Sequence, residues 1–353
     1  MKQGWEIKKL GEFANIKSGK SIDANLILDN ISLYPCYGGN GIRGYVKNYR
    51  YNGCFPVIGR VGALCGNVHL AKGQFNATEH ALIVEIKHED INPEWLTYNL
   101  ISLKLRRIAK GVAQPVIAAS EVAKIPIAIP PLPEQERIVA ELDCLSSIIE
   151  KQKEQLKELD NLAQSIFYTM FGDPITNERG WEERSLTDVC TNLFAGGDVP
   201  KGDYSETKTE QHSTPILSNG VGDKALYGYT SNPRVNEVSL TISGRGTIGY
   251  CEVRTTPFLP VVRLIVATPN TDIILPITLK FIVDALKLKG TGGTIPQLTI
   301  PMIKNKKIIL PPIGIQQEFA SKIEAIEKQK KLIKQSLSET DTLFNSRMDY
   351  YFN

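Results

Sequence analysis

The sequence is poor in features that would place a protein in a membrane, outside the cell or around a metal ion. None of its apolar runs approaches the roughly 18 residues needed to cross a bilayer. The opening segment MKQGWEIKKLGEF lacks the apolar core of a secretory signal peptide. The 6 cysteines include no Cys-x-x-Cys pair, which argues against both a zinc knuckle and a disulfide framework. We therefore expect a soluble, reduced protein of the cytoplasm.

The chain also lacks a strong excess of either charge. Lysine and arginine together number 41, against 38 aspartates and glutamates, which gives a formal net charge of +3. A balance this slight permits nucleic-acid binding without requiring it, so a phosphate-bearing partner would need positive charge gathered on one face. The 4 histidines are scattered and show no metal-ligand spacing. We expect no metal site in this chain.

What the chain does contain is an internal repeat. The tripeptide Gly-Trp-Glu at 4–6 recurs at 180–182, and IAIPPLPEQERI at 127–138 is matched by IILPPIGIQQEF at 308–319. A repeat of about 180 residues is too long for one unit of a solenoid. In a chain of 353 residues it indicates a tandem pair of whole domains, each large enough to bury its own core.

The first part of each repeat, at 1–130 and 180–310, is rich in glycine, tyrosine, proline and β-branched residues. Short apolar runs predict strands, as in HALIVEI, KIPIAI, VVRLIVA and NKKIIL. Near the end of each part, the segments WLTYNLISLKLRRIA and ITLKFIVDALKLK have helical spacing. We therefore predict two α+β domains.

The second part of each repeat is predicted to be one long helix, at 131–172 and 311–353, and Gly172 and Pro174 favour a stop before a linker at 173–179. Apolar residues recur there at alternating steps of four and three, which is typical of a coiled coil. The seam residues are Ile138, Leu142, Leu145, Ile149, Leu156 and Leu159 in the first helix, and Phe319, Ile323, Ile326, Ile333, Leu337 and Phe344 in the second.

The length of these helices indicates what their seams contact. Each would extend about 55 Å, whereas a domain of about 130 residues is roughly 30–35 Å across. We therefore expect the two seams to face each other, although packing of each helix on its own domain remains the alternative. Gln152 and Lys330 interrupt the seams with polar groups, which could fix their register.

Each repeat consists of a globular domain that opens with Gly-Trp, followed by a long helix. The helix begins with PPLPEQERI in the first repeat and with PPIGIQQEF in the second. This order resembles the specificity subunit of type I restriction-modification systems. The resemblance covers essentially the whole chain. It implies two target-recognition domains, each reading one half of a bipartite DNA site. It also implies that the two long helices form an antiparallel coiled coil, which sets the spacing between the half-sites.

The same resemblance implies partners and an approximate symmetry. The coiled coil would dock two modification subunits, which methylate adenine with S-adenosylmethionine, and a restriction subunit that uses ATP and Mg²⁺ can join them. The specificity subunit itself has no catalytic residues, so no cofactor is expected in this chain. Tandem copies joined through antiparallel helices acquire a pseudo-twofold axis. Because the two domains have diverged in sequence, the two half-sites should differ.

Base reading requires Arg, Lys, Asn or Gln side chains presented from loops, together with phosphate contacts. The loops GGNGIRGY, IGRVG and KGVAQP offer them in the first domain, and the counterparts in the second include ISGRGTIG and KGTGGTIPQ. The candidate DNA-binding residues are Asn40, Arg43, Arg60, Lys110 and Gln114, and in the second domain Asn219, Lys224, Arg245, Thr291, Thr294 and Gln297. A solvated arginine in a strand-connecting turn is the alternative for each Gly-Arg loop. A second basic group is either a phosphate clamp or a solvated helix face, and comprises Lys104, Arg106, Arg107, Lys287 and Lys289.

Three other functions are weaker interpretations. The segment ANIKSGKS at 14–21 matches a relaxed nucleotide-binding loop, but its lead-in is polar and broken by Gly11. A self-contained DNA methyltransferase would need an Asn/Asp-Pro-Pro-aromatic motif, and NPEW at 92–95 lacks the second proline. It would also need roughly 200 further residues for a catalytic domain. A structural coiled-coil adaptor without DNA reading stays open, although the loop chemistry argues against it.

Overall fold

The computed structural model describes residues 4–111, 114–292 and 296–352. By its internal contacts the chain divides into two compact units. The first unit comprises Met1–Lys153 with Gln335–Asn353, and the second comprises Glu154–Lys334. Each unit therefore combines one globular domain with a stretch of both long helices, whereas the domain bounds predicted from the sequence follow chain order.

The helices and strands have the following bounds. The strands of the first unit are β1 (Glu6–Lys9), β2 (Ala14–Ser18), β3 (Tyr34–Gly38), β4 (Gly41–Val46), β5 (Tyr51–Gly59), β6 (Val68–Ala77), β7 (Ala81–Ile86) and β8 (Pro126–Ile129). Its helices are α1 (Leu10–Phe13), α2 (Pro93–Ser102), α3 (Ala119–Ala123) and the first part of α4 (Leu132–Phe171). The strands of the second unit are β9 (Glu182–Ser185), β10 (Cys190–Ala195), β11 (Thr214–Leu217), β12 (Leu226–Thr230), β13 (Ser239–Ile242), β14 (Cys251–Arg254), β15 (Leu259–Pro260), β16 (Ile265–Pro269) and β17 (Lys307–Leu310). Its helices are α5 (Pro276–Ala285), α6 (Ile300–Ile303) and the first part of α7 (Ile313–Phe352).

The two units share one strand topology. In the first unit six strands form a sheet in the order β2-β7-β5-β6-β3-β4, and β1 pairs with β8. In the second unit the orders β10-β16-β13-β14 and β12-β11-β15 repeat this arrangement in two sheets, and β17 pairs with β9. The pairing of β3 with β6 is parallel, as is that of β11 with β15. The sequence repeat is thus a repeat of fold, and the predictions of an α+β class and of tandem domains are confirmed.

The core of each unit lies under the helix that follows the main sheet. In the first unit α2 buries Trp95, Leu96 and Leu100 together with Ile58 of β5 and Leu82 of β7. In the second unit α5 buries its apolar face in the equivalent place, and the members of that core include Leu279, Ile282, Val283, Leu240 and Ile265. The helical spacing read near the end of each globular part therefore belongs to core helices.

One predicted strand is shorter than its sequence indicates. The run VVRLIVA begins at Val261, but β16 begins only at Ile265. Val262 and Arg263 have φ angles of 52° and 59°, in the left-handed region that interrupts a strand. The β-branched residues of this run predict an uninterrupted strand, so the sequence pattern did not indicate the turn.

A buried glutamine ties the start of each long helix to its domain. Gln135 is fully buried; its Oε1 accepts from the N–H of Asn92 at 2.8 Å, and its Nε2 donates to the carbonyls of Asp90 and Pro130, both at 2.9 Å. Gln316 repeats the pattern on α7, with bonds to Leu275 N (2.8 Å), Ile273 O (2.9 Å) and Pro311 O (2.8 Å). The glutamine shared by PPLPEQ and PPIGIQ thus joins each helix to the segment before α2 or α5.

Within each unit the two long helices run antiparallel. In the first unit Arg347 Nε lies 2.8 Å from Glu141 Oε1, and Gln152 donates to Ser336 Oγ at 2.8 Å. In the second unit Lys330 Nζ lies 2.8 Å from Asp160 Oδ1, and Phe171 and Phe319 meet edge to face. Rising numbers on α4 thus meet falling numbers on α7, as the resemblance implies.

The predicted seam residues all avoid full exposure. Those that are buried are Ile138, Leu142, Ile149, Phe319, Ile323 and Ile326. Those that are half-buried are Leu145, Leu156, Leu159, Ile333, Leu337 and Phe344. The polar interruptions are handled differently: Lys330 is neutralised by Asp160 and Glu327, whereas Oε1 of Gln152 is buried with no hydrogen-bond partner in the described part of the chain.

Other sequence expectations concern absences. All six cysteines carry free thiols. Within the described ranges no helix is long and apolar enough to cross a membrane, and no group of three or more His, Cys, Asp or Glu residues could hold a metal ion.

Replacing the buried glutamine of α7 should unfold the second unit more easily. Gln316→Leu leaves one backbone N–H and two carbonyls without partners, at about 1–3 kcal/mol for each buried group. We expect the free energy of unfolding to fall by roughly 2–4 kcal/mol in urea titrations. Gln317→Leu is the matched control, because Gln317 is the exposed neighbour on the same helix. Equal stability of the two variants would contradict this role for Gln316.

The polar residue in the seam of α4 should have the opposite effect. Gln152→Leu removes a buried carbonyl that lacks a hydrogen bond, and Ser336 is exposed enough to bond to water instead. We expect stability to rise by about 1 kcal/mol, measured as a higher Tm. Gln155→Leu, an exposed position on the same helix, controls for the added apolar surface. An unchanged or lower Tm for Gln152→Leu would count against this account.

Candidate nucleic-acid interface

In the first unit, loops from four parts of the chain meet at one edge of the sheet. A methyl group at Gly59 would lie 2.0 Å from the carbonyl oxygen of Gly39, so this close approach requires glycine. The N–H of Arg60 donates to the carbonyl of His80 at 2.8 Å, and the N–H of Ile117 donates to that of Arg60 at 2.9 Å. Four parts of the chain are therefore adjacent: the turn at 39–40, the loop that begins with Arg60, the turn at 78–80 and the segment 114–117.

Four of the predicted site residues in this unit are exposed: Asn40, Arg43, Lys110 and Gln114. The Asn40 Oδ1 accepts a hydrogen bond from Asn67 Nδ2 at 2.8 Å, and Lys110 Nζ lies 3.7 Å from Glu121 Oε1. The guanidinium of Arg43 makes no ion pair or side-chain hydrogen bond with the described residues. Arg43 is thus available to donate hydrogen bonds to a ligand.

A histidine supports the turn that carries these residues. Gly41 has a φ of 76°, and a methyl group there would lie 3.1 Å from Cε1 of His69. Burial lowers the pKa of His69, so its ring is neutral at pH 7 and adds no charge to the interface. His69 therefore acts as packing for the turn, as expected of the scattered histidines.

Arg60 is half-buried rather than free. Its Nη1 donates to Ser18 Oγ at 3.1 Å and approaches the carbonyl of Glu79 at 3.4 Å, while its Nε has no partner in the described part of the chain. Sequence reasoning missed Ser18 and Glu79, because nothing near Arg60 in the chain points to them. These contacts hold the guanidinium at the loop cluster and leave part of its hydrogen-bonding capacity unused.

The second unit builds its loop cluster around an asparagine. Asn219 Oδ1 accepts from the N–H groups of Gly244 (2.7 Å) and Arg245 (3.3 Å), and its Nδ2 donates to the carbonyl of Val262 at 2.7 Å. DNA contact by this amide would require these bonds to break, so Asn219 positions the loop. Arg245 is half-buried and donates through Nη2 to Gln297 Oε1 at 3.2 Å. The structure thus brings Asn219, Arg245 and Gln297 together.

Backbone hydrogen bonds correct one pairing between the repeats. The carbonyl of Arg60 accepts from Ile117 N, and in the second unit the carbonyl of Gly244 accepts from Leu298 N at 2.8 Å. Gly244, and not Arg245, therefore occupies the position of Arg60. A pairing of Arg60 with Arg245, which the similar loops IGRVG and ISGRGTIG suggest, is therefore wrong by one residue, because the second loop carries its Gly-Arg pair one position later in the strand register.

The remaining candidates of the second unit lie nearby. Thr291 is exposed and forms a backbone bridge with Gln297, the equivalent of the bridge between Lys110 and Val116. Lys224 is exposed in a short 3₁₀ turn at Gly222–Ala225, just before β12. Thr294 lies outside the described residues.

Two motifs considered in the sequence have purely structural roles. In the segment ANIKSGKS the N–H groups of Gly19 and Lys20 donate to the carbonyls of Ala81 and Ala77, so they cannot cradle a phosphate. In NPEW the side chain of Asn92 caps α2, accepting from the N–H groups two and three residues later at 2.8 Å and 3.0 Å. Neither motif provides nucleotide-binding or methyltransferase chemistry.

The side chains gathered at the two loop clusters are mainly cations and amides. Arginine, lysine and glutamine are the groups that bind phosphates and read base edges. The clusters suit recognition of a nucleic acid, with exposed residues available for contact and half-buried ones holding the loops.

Comparison with known proteins agrees with this geometry. The family described as "Type I restriction modification DNA specificity domain" matches residues 2–160 and 178–340. A putative type I specificity subunit of Mycoplasma pneumoniae is 27% identical over 333 residues, covering 88% of this chain and 95% of the relative. The specificity subunit of the type I restriction enzyme EcoprrI of Escherichia coli is 42% identical over 139 residues, covering 38% of this chain and 34% of the relative.

Solved structures show the same fold. The crystal structure of a type I restriction-modification S subunit from M. genitalium superposes with a TM-score of 0.66 at 15% identity, covering 98% of this chain and 95% of that one. Because the family matches most of the sequence, and matches it twice, the chain belongs to the family of type I restriction-modification DNA specificity domains and carries two of them in tandem.

Proposed function

We propose that this chain is the DNA-recognition subunit of a type I restriction-modification complex, and that each unit reads one half of a bipartite, asymmetric DNA site. The observation that carries the proposal is the pair of DNA specificity domains at 2–160 and 178–340. Each domain gathers arginine, lysine and amide side chains on one loop cluster, which is the chemistry that base reading requires.

The differences between the two clusters support an asymmetric site. The first unit presents Arg43 on strand β4, whereas the second presents Lys224 in a turn that precedes β12. Arginine can bond a guanine edge through two donors of a rigid fork, while lysine acts as a single point charge. Equivalent scaffolds with different donors would select different bases.

The partners and the spacing follow as further parts of the proposal. Two modification subunits would bind the long helices, with S-adenosylmethionine held by those partners and ATP and Mg²⁺ by a restriction subunit. The helix pair would set the number of unread bases between the half-sites. With a formal net charge of +3, the chain alone would bind DNA weakly, and its partners would supply further contacts.

The competing interpretations have less support. A self-contained methyltransferase would need its catalytic motif, and the nearest match is the cap of α2. Arg43 is exposed on the edge strand β4 and pairs with none of the described residues. An adaptor that does not read DNA would not need such an arginine. We therefore favour the recognition role over both.

Exposed residues of the two clusters should control separate halves of the DNA motif. Adenine methylation across the host genome, read by long-read sequencing, gives the motif in a strain that carries the unaltered gene. Arg43→Ala should relax the base requirement in one half of the motif, or abolish methylation. Lys224→Ala should have the same effect on the other half. Loss of a base contact costs about 1–3 kcal/mol, or roughly 10- to 100-fold in affinity.

Two strains provide the controls. Deleting the gene should remove the motif entirely, and Arg184→Ala, which changes an exposed arginine paired with Glu182 on β9, should leave it unchanged. If the deletion changes no methylation, the recognition role fails. If strains that carry either cluster variant still methylate the unaltered motif at the usual level, these residues do not read bases. That result would favour the adaptor interpretation.

A further inference from the structure

We infer that the lysine after α2 and its counterpart after α5 anchor DNA phosphates beside the reading loops, an inference that rests on the proposed function. Lys104 and Lys287 have φ angles of 48° and 45°, so both lie in the left-handed region. Both stand between two leucines directly after a core helix, in the same place in each repeat. The same unusual backbone thus carries the same charge twice.

Glycine would fit this backbone with less strain. In the left-handed conformation a Cβ atom crowds the backbone, so this conformation favours glycine, which is the usual residue just after a helix. The chain follows that preference elsewhere, because Gly172 ends α4 with a φ of 76°. Both equivalent positions therefore carry lysine although glycine would be less strained. This repeated choice indicates that the ammonium group has a function.

The charges at these positions are available to a ligand. Lys104 and Lys287 are exposed, and so are their basic neighbours Arg106, Arg107 and Lys289. None of the five makes an ion pair with a residue that the structure describes. By contrast, five lysines of the globular domains have a carboxylate partner: Lys8, Lys17, Lys72, Lys280 and Lys307.

In the first unit the basic segment lies against the loop that begins with Arg60. A methyl group at Gly66 would lie 2.4 Å from the N–H nitrogen of Arg106, so the two backbones touch. The same loop and segment line a cleft of about 370 Å³, whose walls include Lys104, Arg106 and Asn67. Asn67 is the partner of Asn40, so this cleft adjoins the reading cluster.

The second unit repeats the contact. A methyl group at Gly249 would lie 2.9 Å from the carbonyl oxygen of Leu288, which follows Lys287. Lys287 borders a larger cleft of about 790 Å³ that also contains carboxylates. Those carboxylates are already paired, in the pairs Asp284 with Lys280, Glu252 with Arg254, and Asp160 and Glu327 with Lys330. Lys287 itself makes no ion pair with any of these carboxylates.

A lone ammonium group suits phosphate rather than a base edge. Lysine is a point charge without the planar fork that pairs with guanine, and most protein–DNA contacts of this kind go to the backbone. Such contacts add affinity independently of sequence, and they weaken as salt rises because bound counterions are released. Lys104 and Lys287 would hold the duplex in place while the adjacent loops read it.

The test replaces both lysines with the residue that the backbone favours. The full chain carrying Lys104→Gly and Lys287→Gly is titrated against a fluorescent duplex of about 30 base pairs of arbitrary sequence, at several salt concentrations. We expect the Tm to stay the same or rise as the strain is removed. Affinity at low salt should fall roughly tenfold. The negative slope of log K against log salt should become shallower by about 0.9 for each lysine that is lost.

Two further variants make the result specific. Lys8→Ala removes a surface lysine already paired with Glu6 and should change neither the affinity nor the slope. Restoring a cation with Lys104→Arg and Lys287→Arg should recover binding. Unchanged affinity and slope in the glycine variant, or weaker binding accompanied by a lower Tm, would overturn the inference while leaving the proposed function intact. Failure of the unaltered chain to bind the duplex even at low salt would also overturn the inference, whereas the proposed function is tested separately by adenine methylation of the host genome.

Discussion

Two buried glutamines hold the long helices on the domains from which they start, and the rest of the structure depends on these joints. Gln135 and Gln316 each satisfy one N–H and two carbonyls where the chain turns from loop to helix, groups that burial would otherwise leave unpaired. Because one of these bonds reaches the residue just before α2 or α5, the direction of each long helix is tied to a core helix of its domain. The loop clusters are built on that fixed frame.

The two units keep one frame and vary what it carries. Strand order, core helix and glutamine joint recur, and so does the left-handed lysine after the core helix. The loops differ: in the first unit Ser18 and the backbone of Glu79 hold an arginine, whereas in the second Asn219 fixes the arginine-bearing loop through the backbone. A duplicated fold with separate loop chemistry can change one recognition surface without altering the other.

The long helices and the repeat could be predicted because their signals extend over many residues and are local in sequence. The seam spacing persists over four heptads, and the two long helices begin with similar sequences, PPLPEQERI and PPIGIQQEF. The loop clusters could not be predicted, since they depend on contacts between distant segments. Nothing near Arg60 indicates Ser18, the letters Gly-Arg conceal a one-residue offset at Arg245, and the apolar run before β16 conceals a left-handed turn at Val262.

The division of the chain into units also bears on how the protein is made. The second unit is one continuous stretch, Glu154–Lys334, but the first needs Gln335–Asn353, whose Met348 and Tyr351 lie in its core beside Leu142. Synthesis proceeds from the N-terminus, and domains generally fold as they emerge. The core of the first unit therefore stays open until the segment that carries Met348 and Tyr351 has been translated, after the whole of the second unit, and its apolar surface is exposed to aggregation and proteolysis during that interval.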